Sequence, residues 1–174
     1  MNEFLMTLAV TVIYGSILEW LIHKVVMHSP RFKLAFRRHT LEHHSQRRAP
    51  GHYYAKSEEE REYHLFETSY MPIVFLMNSP YYGLFYWVWG WHGACGAMLG
   101  TVGYIVTYEV LHWAMHVPNR FPFRNHAWFC FLSEHHRRHH RRAKVNYNVV
   151  CPLADLLFGT FSFEKLRPEP EDER

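Results

Sequence analysis

The chain has 174 residues, enough for one domain, and at 48% hydrophobic and 17% aromatic it can fill a core or span a membrane. Its formal net charge is only +3, and without an RNA- or DNA-binding motif its basic stripes give no reason to expect nucleic acid as a partner. Cys95, Cys130 and Cys151 form neither a CxxC pair nor an even framework, so disulfides are not implied and the three read as small buried apolar residues.

Taken in chain order, Phe4 to Ile22 is an apolar run with one charge, Glu19, long enough to cross a bilayer core of about 30 Å. It has no basic leader and no small-residue cleavage site, so a spanning helix is expected rather than a signal peptide. Block 24–64 should hold helical pieces broken at Pro30 and at Ala49-Pro50-Gly51. Within it, Ser57 and Glu60 read as a capping box. Tyr70 to Trp91 is apolar, aromatic and uncharged, and a Gly90-Trp91-His92-Gly93 turn leads into Ala94 to Trp113. Gly96, Gly100 and Gly103 there predict close helix packing. Arg124 to Arg142 reads as an amphipathic helix, and residues 166–174 as a polar, disordered tail after a single domain at 1–165.

Charge is distributed unevenly. No Lys or Arg occurs from Met1 to His23 or from Glu62 to Pro118, whereas seven fall between Lys24 and Arg48 and seven between Arg120 and Lys144. The positive-inside rule puts both basic blocks in the cytoplasm. The expected fold is therefore an all-α integral membrane bundle with about three transmembrane helices and a cytoplasmic, histidine-rich cap. The short chain, with no fused cytochrome domain, points to a bacterial inner membrane.

Ten of the fifteen histidines fall in four clusters: His23/His28, His39/His43/His44, His112/His116 and His136/His139/His140. Neutral imidazole is a common metal ligand, and ten are too many for one ion and about right for two. Residues at i and i+4 of a helix lie about 40° apart and share a face. His39/His43, His112/His116 and His136/His140 have that spacing, and His136/His139 at i+3 also shares a face. The adjacent pairs His43-His44 and His139-His140 diverge by about 100°, so each could serve two ions. His23 and His28, at i+5, cannot grip one metal from a regular helix and need a helix end, a bulge, or one ion each.

A lone HxxxH is more often packed or surface histidines than a site; four clusters on one side of a membrane are not. His52, His64, His92, His126 and His135 read as surface, interfacial or supporting residues, with His135 able to exchange roles with His136. All-nitrogen ligation argues against structural zinc and suits a di-iron centre that activates O₂. Metal-bound histidine usually donates its second N–H to a carboxylate or carbonyl, and Glu19 and Asp155 are the chosen supporting carboxylates. Glu42 and Glu134 read equally as surface ion pairs with neighbouring arginines. A site beneath apolar helices selects a lipid-like substrate. With no flavin, haem or iron–sulfur motif, electrons must come from a separate carrier. Arg137, Arg138, Arg141 and Arg142 could dock an acidic one or meet anionic headgroups. The rival from another class is a non-catalytic membrane protein that binds or transports metal.

HKVVMH (23–28), HTLEHH (39–44), HWAMH (112–116) and HRRHH (136–140) resemble the histidine boxes of the fatty acid hydroxylase/sterol desaturase superfamily. The ending NYNVVCPLADLLFGTF (146–161) is also similar to that superfamily, and the match runs from about residue 10 to 161. The resemblance implies a membrane di-iron enzyme with two iron ions ligated by the ten histidines, O₂ as co-substrate, a ferredoxin- or cytochrome-type electron donor, and hydroxylation or desaturation of a fatty acyl or sterol-like lipid. HKVVMH and RFPFR (120–124) also resemble bacterial carotenoid hydroxylases. Against that, three residues separate His39 from His43 where those enzymes usually have two.

Overall fold

The computed structural model describes residues 2–57, 60 and 71–166. Every element among them is helical: α1 (Asn2–Leu21), a π-helical turn Ile22–Met27, α2 (Lys33–Phe36), a π-helical stretch Arg37–His44, α3 (Ser45–Arg47), α4 (Met71–Met77), α5 (Ser79–His116), a 3₁₀ turn Pro118–Arg120, α6 (Ala127–Arg141) and α7 (Leu153–Leu157). Among the described residues, two stretches are long and apolar enough to cross a membrane, Glu3–Met27 and Ser79–His116. The chain divides into two compact units, residues 1–15 with 66–110 and residues 16–65 with 111–174.

In the first unit α5 contains two helices. Trp89 and Gly90 leave helical geometry, and Gly90 takes φ +59°, which glycine adopts without steric penalty. The chain reverses there: Tyr82 and Phe85, before the break, pack against Ala97, after it. The turn expected at 90–93 thus lies at 89–90. Gly93 completes it, since a Cβ at that position would stand 2.6 Å from the Phe85 carbonyl.

The apolar stretch Tyr70 to Trp91 is also interrupted at Asn78, just ahead of Pro80, which has no N–H for the next helical bond. Asn78 covers the break by donating to Val74 O (2.7 Å) and accepting from the Tyr14 hydroxyl (2.5 Å). Tyr70 and the other residues of 61–70 lie outside the described residues.

Leg 91–116 packs on α1 through Gly96 and Gly100, while Gly103, expected in the same contact, meets nothing within 4 Å among the described residues. A Cβ on Gly96 would meet Phe4 and Thr7, and one on Gly100 would meet Thr11; on the facing helix, one on Gly15 would meet Tyr104. Residue numbers rise together along this contact, so the two helices run parallel. Thr7 and Thr11 sit inside it with their hydroxyls returned to Glu3 O and Thr7 O, each at 2.7 Å, as apolar surroundings require.

The second unit contains the π-helical segments, α6, α7 and the loops between them. Its breaks fall at Pro30 and at Gly51 (φ +78°), as expected. Glu60 N–H donates to Ser57 Oγ at 3.1 Å, which supplies the first half of the expected capping box. The tail from Arg167 lies outside the described residues. Cys95 and Cys130 are exposed, contrary to the expectation of burial, and all three cysteines are free. In an apolar, lipid-facing or partly covered helix a thiol needs no burial to be tolerated.

Candidate metal centre

The ten clustered histidines converge on two points within the second unit. His23, His28, His39, His44 and His139 form one group; His43, His112, His116, His136 and His140 form the other. Within each group the candidate ligand atoms all lie within 4.8 Å of one another.

The π-helical segments decide this sorting. In a π-turn the backbone bond closes from residue i+5 to residue i, which brings i+5 close to the face of residue i. His28 N–H accordingly donates to His23 O at 3.2 Å, and the two rings stack with centroids 5.2 Å apart. The bulge that the spacing of this pair required is present. The same geometry corrects the second cluster: His39 joins His44, at i+5, with Nε2 atoms 3.2 Å apart, while His43 turns to the other group. The expected His39/His43 pairing assumed 3.6 residues per turn and does not hold. Regular α-helix governs the other two clusters. His112/His116 and His136/His140 stay together at i+4, but His136 and His139 separate, each to its own group.

The inward atoms are Nε2. In the first group they approach at 2.8 Å (His23–His39), 3.1 Å (His28–His139), 3.1 Å (His44–His139) and 3.2 Å (His39–His44). In the second the spacings are 3.0 Å (His136–His140), 3.1 Å (His43–His112) and 3.2 Å (His43–His140).

The outward nitrogens fix the tautomers. His23 Nδ1 donates to Tyr147 O (2.5 Å), His139 Nδ1 to Val145 O (2.8 Å) and His116 Nδ1 to Tyr53 O (2.9 Å). Thr40 spends its proton on Met27 O (2.8 Å), so its oxygen accepts from His28 Nδ1 at 3.1 Å. His28 and His139 therefore face each other with bare lone pairs, an arrangement that repels unless a cation lies between them. Donors at right angles around an ion, with metal–nitrogen bonds of about 2.1 Å, stand about 3.0 Å apart. The donor set fits a metal ion in each group.

Electrostatics agree. Burial drives His139 down to about 3 and His28 down to about 4. Burial, and then neighbouring imidazoles, hold His39, His43, His44, His136 and His140 well below the ordinary range. These rings stay neutral, the form that ligates.

Asp155 organises the supporting loop. Wholly buried, it accepts from His135 Nε2 (3.0 Å), Tyr147 N–H (2.9 Å), Asn148 N–H (2.8 Å) and Thr160 Oγ1 (2.6 Å). Burial would raise its carboxyl, but these four donors outweigh that and hold it below its usual range. His135 is thereby engaged with Asp155, and His136 is the one of the two that enters a group. Glu19 acts on the same loop: it accepts from Val149 N–H and from Asn148 Nδ2 (3.2 Å). The loop in turn offers Tyr147 O to His23. Both carboxylates thus act on the histidines at one remove.

Sequence reasoning missed Asn146 and Asn148. Asn146 is buried at φ +55° and donates to His135 O and Ser162 O; Asn148 donates to Ser16 O and accepts from Asp155 N–H. Two asparagines flanking Tyr147, close to the last histidine cluster, were the available signal. His52, His92 and His126 are exposed, as expected, and His64 lies outside the described residues. Glu42 and Glu134 form ion pairs, with Arg37 (2.9 Å) and with Arg137 (2.7 Å) and Arg138 (3.3 Å). Arg137 is buried in that pairing, so it does not belong to the exposed basic face expected of the four arginines.

Residues 8–160 match the family model described as fatty acid hydroxylase, and the chain belongs to that family. No curated protein matches the chain. No solved structure matches it either.

Proposed function

We propose that the protein is a membrane-bound di-iron oxygenase that hydroxylates a lipid, fatty acyl or sterol-like, with O₂ and electrons from a separate ferredoxin- or cytochrome-type carrier. One observation carries the reading: two groups of five imidazoles, eight of the ten rings buried, whose candidate ligand atoms lie within 4.8 Å of one another in each group, in a chain of the fatty acid hydroxylase family.

The ten histidines are the iron ligands, five to each ion. Five nitrogen donors exceed what tetrahedral zinc takes, and imidazole suits iron. Bound iron supplies the activation of O₂ that C–H hydroxylation requires. The protein's own part is to keep the imidazoles neutral, aim them through Tyr53, Val145 and Tyr147 carbonyls, and exclude water by burial. Asp155 and Glu19 are positioning residues that hold the 147–149 loop against His23.

Parallel packing of α1 on leg 91–116 needs a return crossing between them. Residues 71–88, about 27 Å long as helix, are the natural candidate, which makes three crossings. The basic blocks beside the histidines favour the cytoplasmic face of a bacterial inner membrane for the metal site. Exposed Arg142, with Arg138 and Arg141 beside it on α6, offers the electron donor a cationic contact.

The test compares lipid and pigment extracts, by mass spectrometry, from cells expressing the wild type or His139→Ala with iron and air. A species gaining one oxygen only with the wild type supports the reading and names the substrate. Loss of two hydrogens instead would make the enzyme a desaturase. Identical extracts, with both proteins in the membrane alongside a functional electron donor, would favour a non-catalytic metal-binding role.

A further inference from the structure

The helix carrying the second histidine cluster has an outer face that the proposed oxygenase chemistry does not use. His39, His43 and His44 are buried on its inner side. On the other side Phe32 (46%), Leu34 (56%) and Leu41 (55%) are exposed, together with Arg31, Lys33 and Arg37. Between residues 31 and 42 four cations stand against one carboxylate, Glu42, which is paired with Arg37.

We propose that residues 31–41 form a docking surface for anionic lipid headgroups, with Phe32, Leu34 and Leu41 entering the interfacial layer. Three features favour a bilayer over an acidic protein. Large apolar side chains interspersed with cations are the composition of helices lying in a membrane interface. Cations immediately beyond a membrane span attract anionic lipid. Phe32 follows Met27, the end of a candidate span, by five residues, so the chain can carry it no more than about 18 Å from that end. An acidic protein would answer Arg31 and Lys33 but leave the three apolar side chains unmatched.

The test uses the full chain in nanodiscs of phosphatidylcholine alone or with one-third phosphatidylglycerol, read by hydrogen exchange across residues 31–36. Adding phosphatidylglycerol should slow exchange at least threefold. R31Q/K33Q should abolish that difference, R31K/K33R should restore it, and F32S/L34S should speed exchange in both discs. Bound metal, measured in every variant, confirms that the histidine groups remain formed. Equal exchange in the two wild-type discs would overturn the proposal. So would an unchanged lipid response in R31Q/K33Q, or protection conferred by an acidic ferredoxin and not by phosphatidylglycerol. None of these readouts depends on turnover, so the lipid surface and the oxygenase reading can fail separately.

Discussion

The backbone N–H of His28 donates to the carbonyl of His23 across 3.2 Å, and this i→i+5 bond sets both imidazoles in one histidine group. An α-helix of the same sequence would point them about 140° apart. The π-turn is therefore part of the site, in keeping with the association of such turns with functional positions.

Changing the length of this turn tests it. Inserting one alanine between Val25 and Val26 carries His28 off the shared face and should reduce bound metal from about two ions per chain to about one. Deleting Val26 converts the turn to ordinary α-helix, where i+4 also shares a face, and should keep both ions. Metal analysis of the purified proteins decides; equal content in insertion and wild type would show that the π-turn is dispensable.

The two groups should also differ in hold. Three rings of the first group have Nδ1 anchored to Tyr147 O, Val145 O and Thr40 Oγ1. In the second, His116 Nδ1 has such an anchor, on Tyr53 O, while His136 and His140 Nδ1 are buried with no hydrogen-bond partner among the described residues. Such anchors typically alter metal affinity by roughly 10- to 100-fold. Graded chelation should release one ion well before the other, and His112→Ala should abolish the early phase only.

Asn146 sits in left-handed geometry with its side chain fully used. Both Asn146→Gly and Asn146→Ala lose those bonds, but only alanine keeps the backbone penalty. Alanine should lower thermal stability more, by roughly 1 kcal/mol. Equal melting of the two variants would argue that the conformation carries no strain.

Acid should weaken the metal-free fold. The unfolded chain protonates His28 and His139 near the ordinary value of 6.5, whereas the folded protein resists to about 4 and about 3. Between those limits the unfolded state binds more protons, so stability is complete above about pH 6.5 and declines as pH falls through that window. Thermal melts in chelator across pH 3–8 give the sign; stability rising on acidification would contradict it.

In the first unit, Gly100→Leu drives a side chain into Thr11 and should cost roughly 1–3 kcal/mol. Gly103→Ala, which meets nothing within 4 Å among the described residues, should be nearly silent in the same melts.

Much of this architecture was readable in advance, for reasons that also mark where reading stops. Apolar length and charge bias outlined the long helices, and imidazole spacing picked out all ten converging histidines. Periodicity failed where it assumed a single helical period: His39 was matched with His43 although a π-segment pairs it with His44. Adjacent His135 and His136 are equivalent in any pattern; only the Asp155 carboxylate, twenty positions away, distinguishes them. Asn146 and Asn148 lie inside the family-like ending 146–161, but their roles were overlooked because they act mostly on main-chain atoms of distant residues, which spacing does not reveal. The cover that Asn78 gives the break ahead of Pro80 shows the same limit, for it depends on Tyr14 arriving from another helix.

Three of the protons that orient the histidines end on main-chain oxygens, those of Tyr53, Val145 and Tyr147. An oxygen of that kind is supplied by every residue type, so its upkeep does not depend on which amino acid a codon specifies. It depends on how many codons separate it from its histidine. Frame-preserving gains or losses of one residue between His140 and Val145 should therefore be far rarer among descendants of this chain than replacements at the same positions.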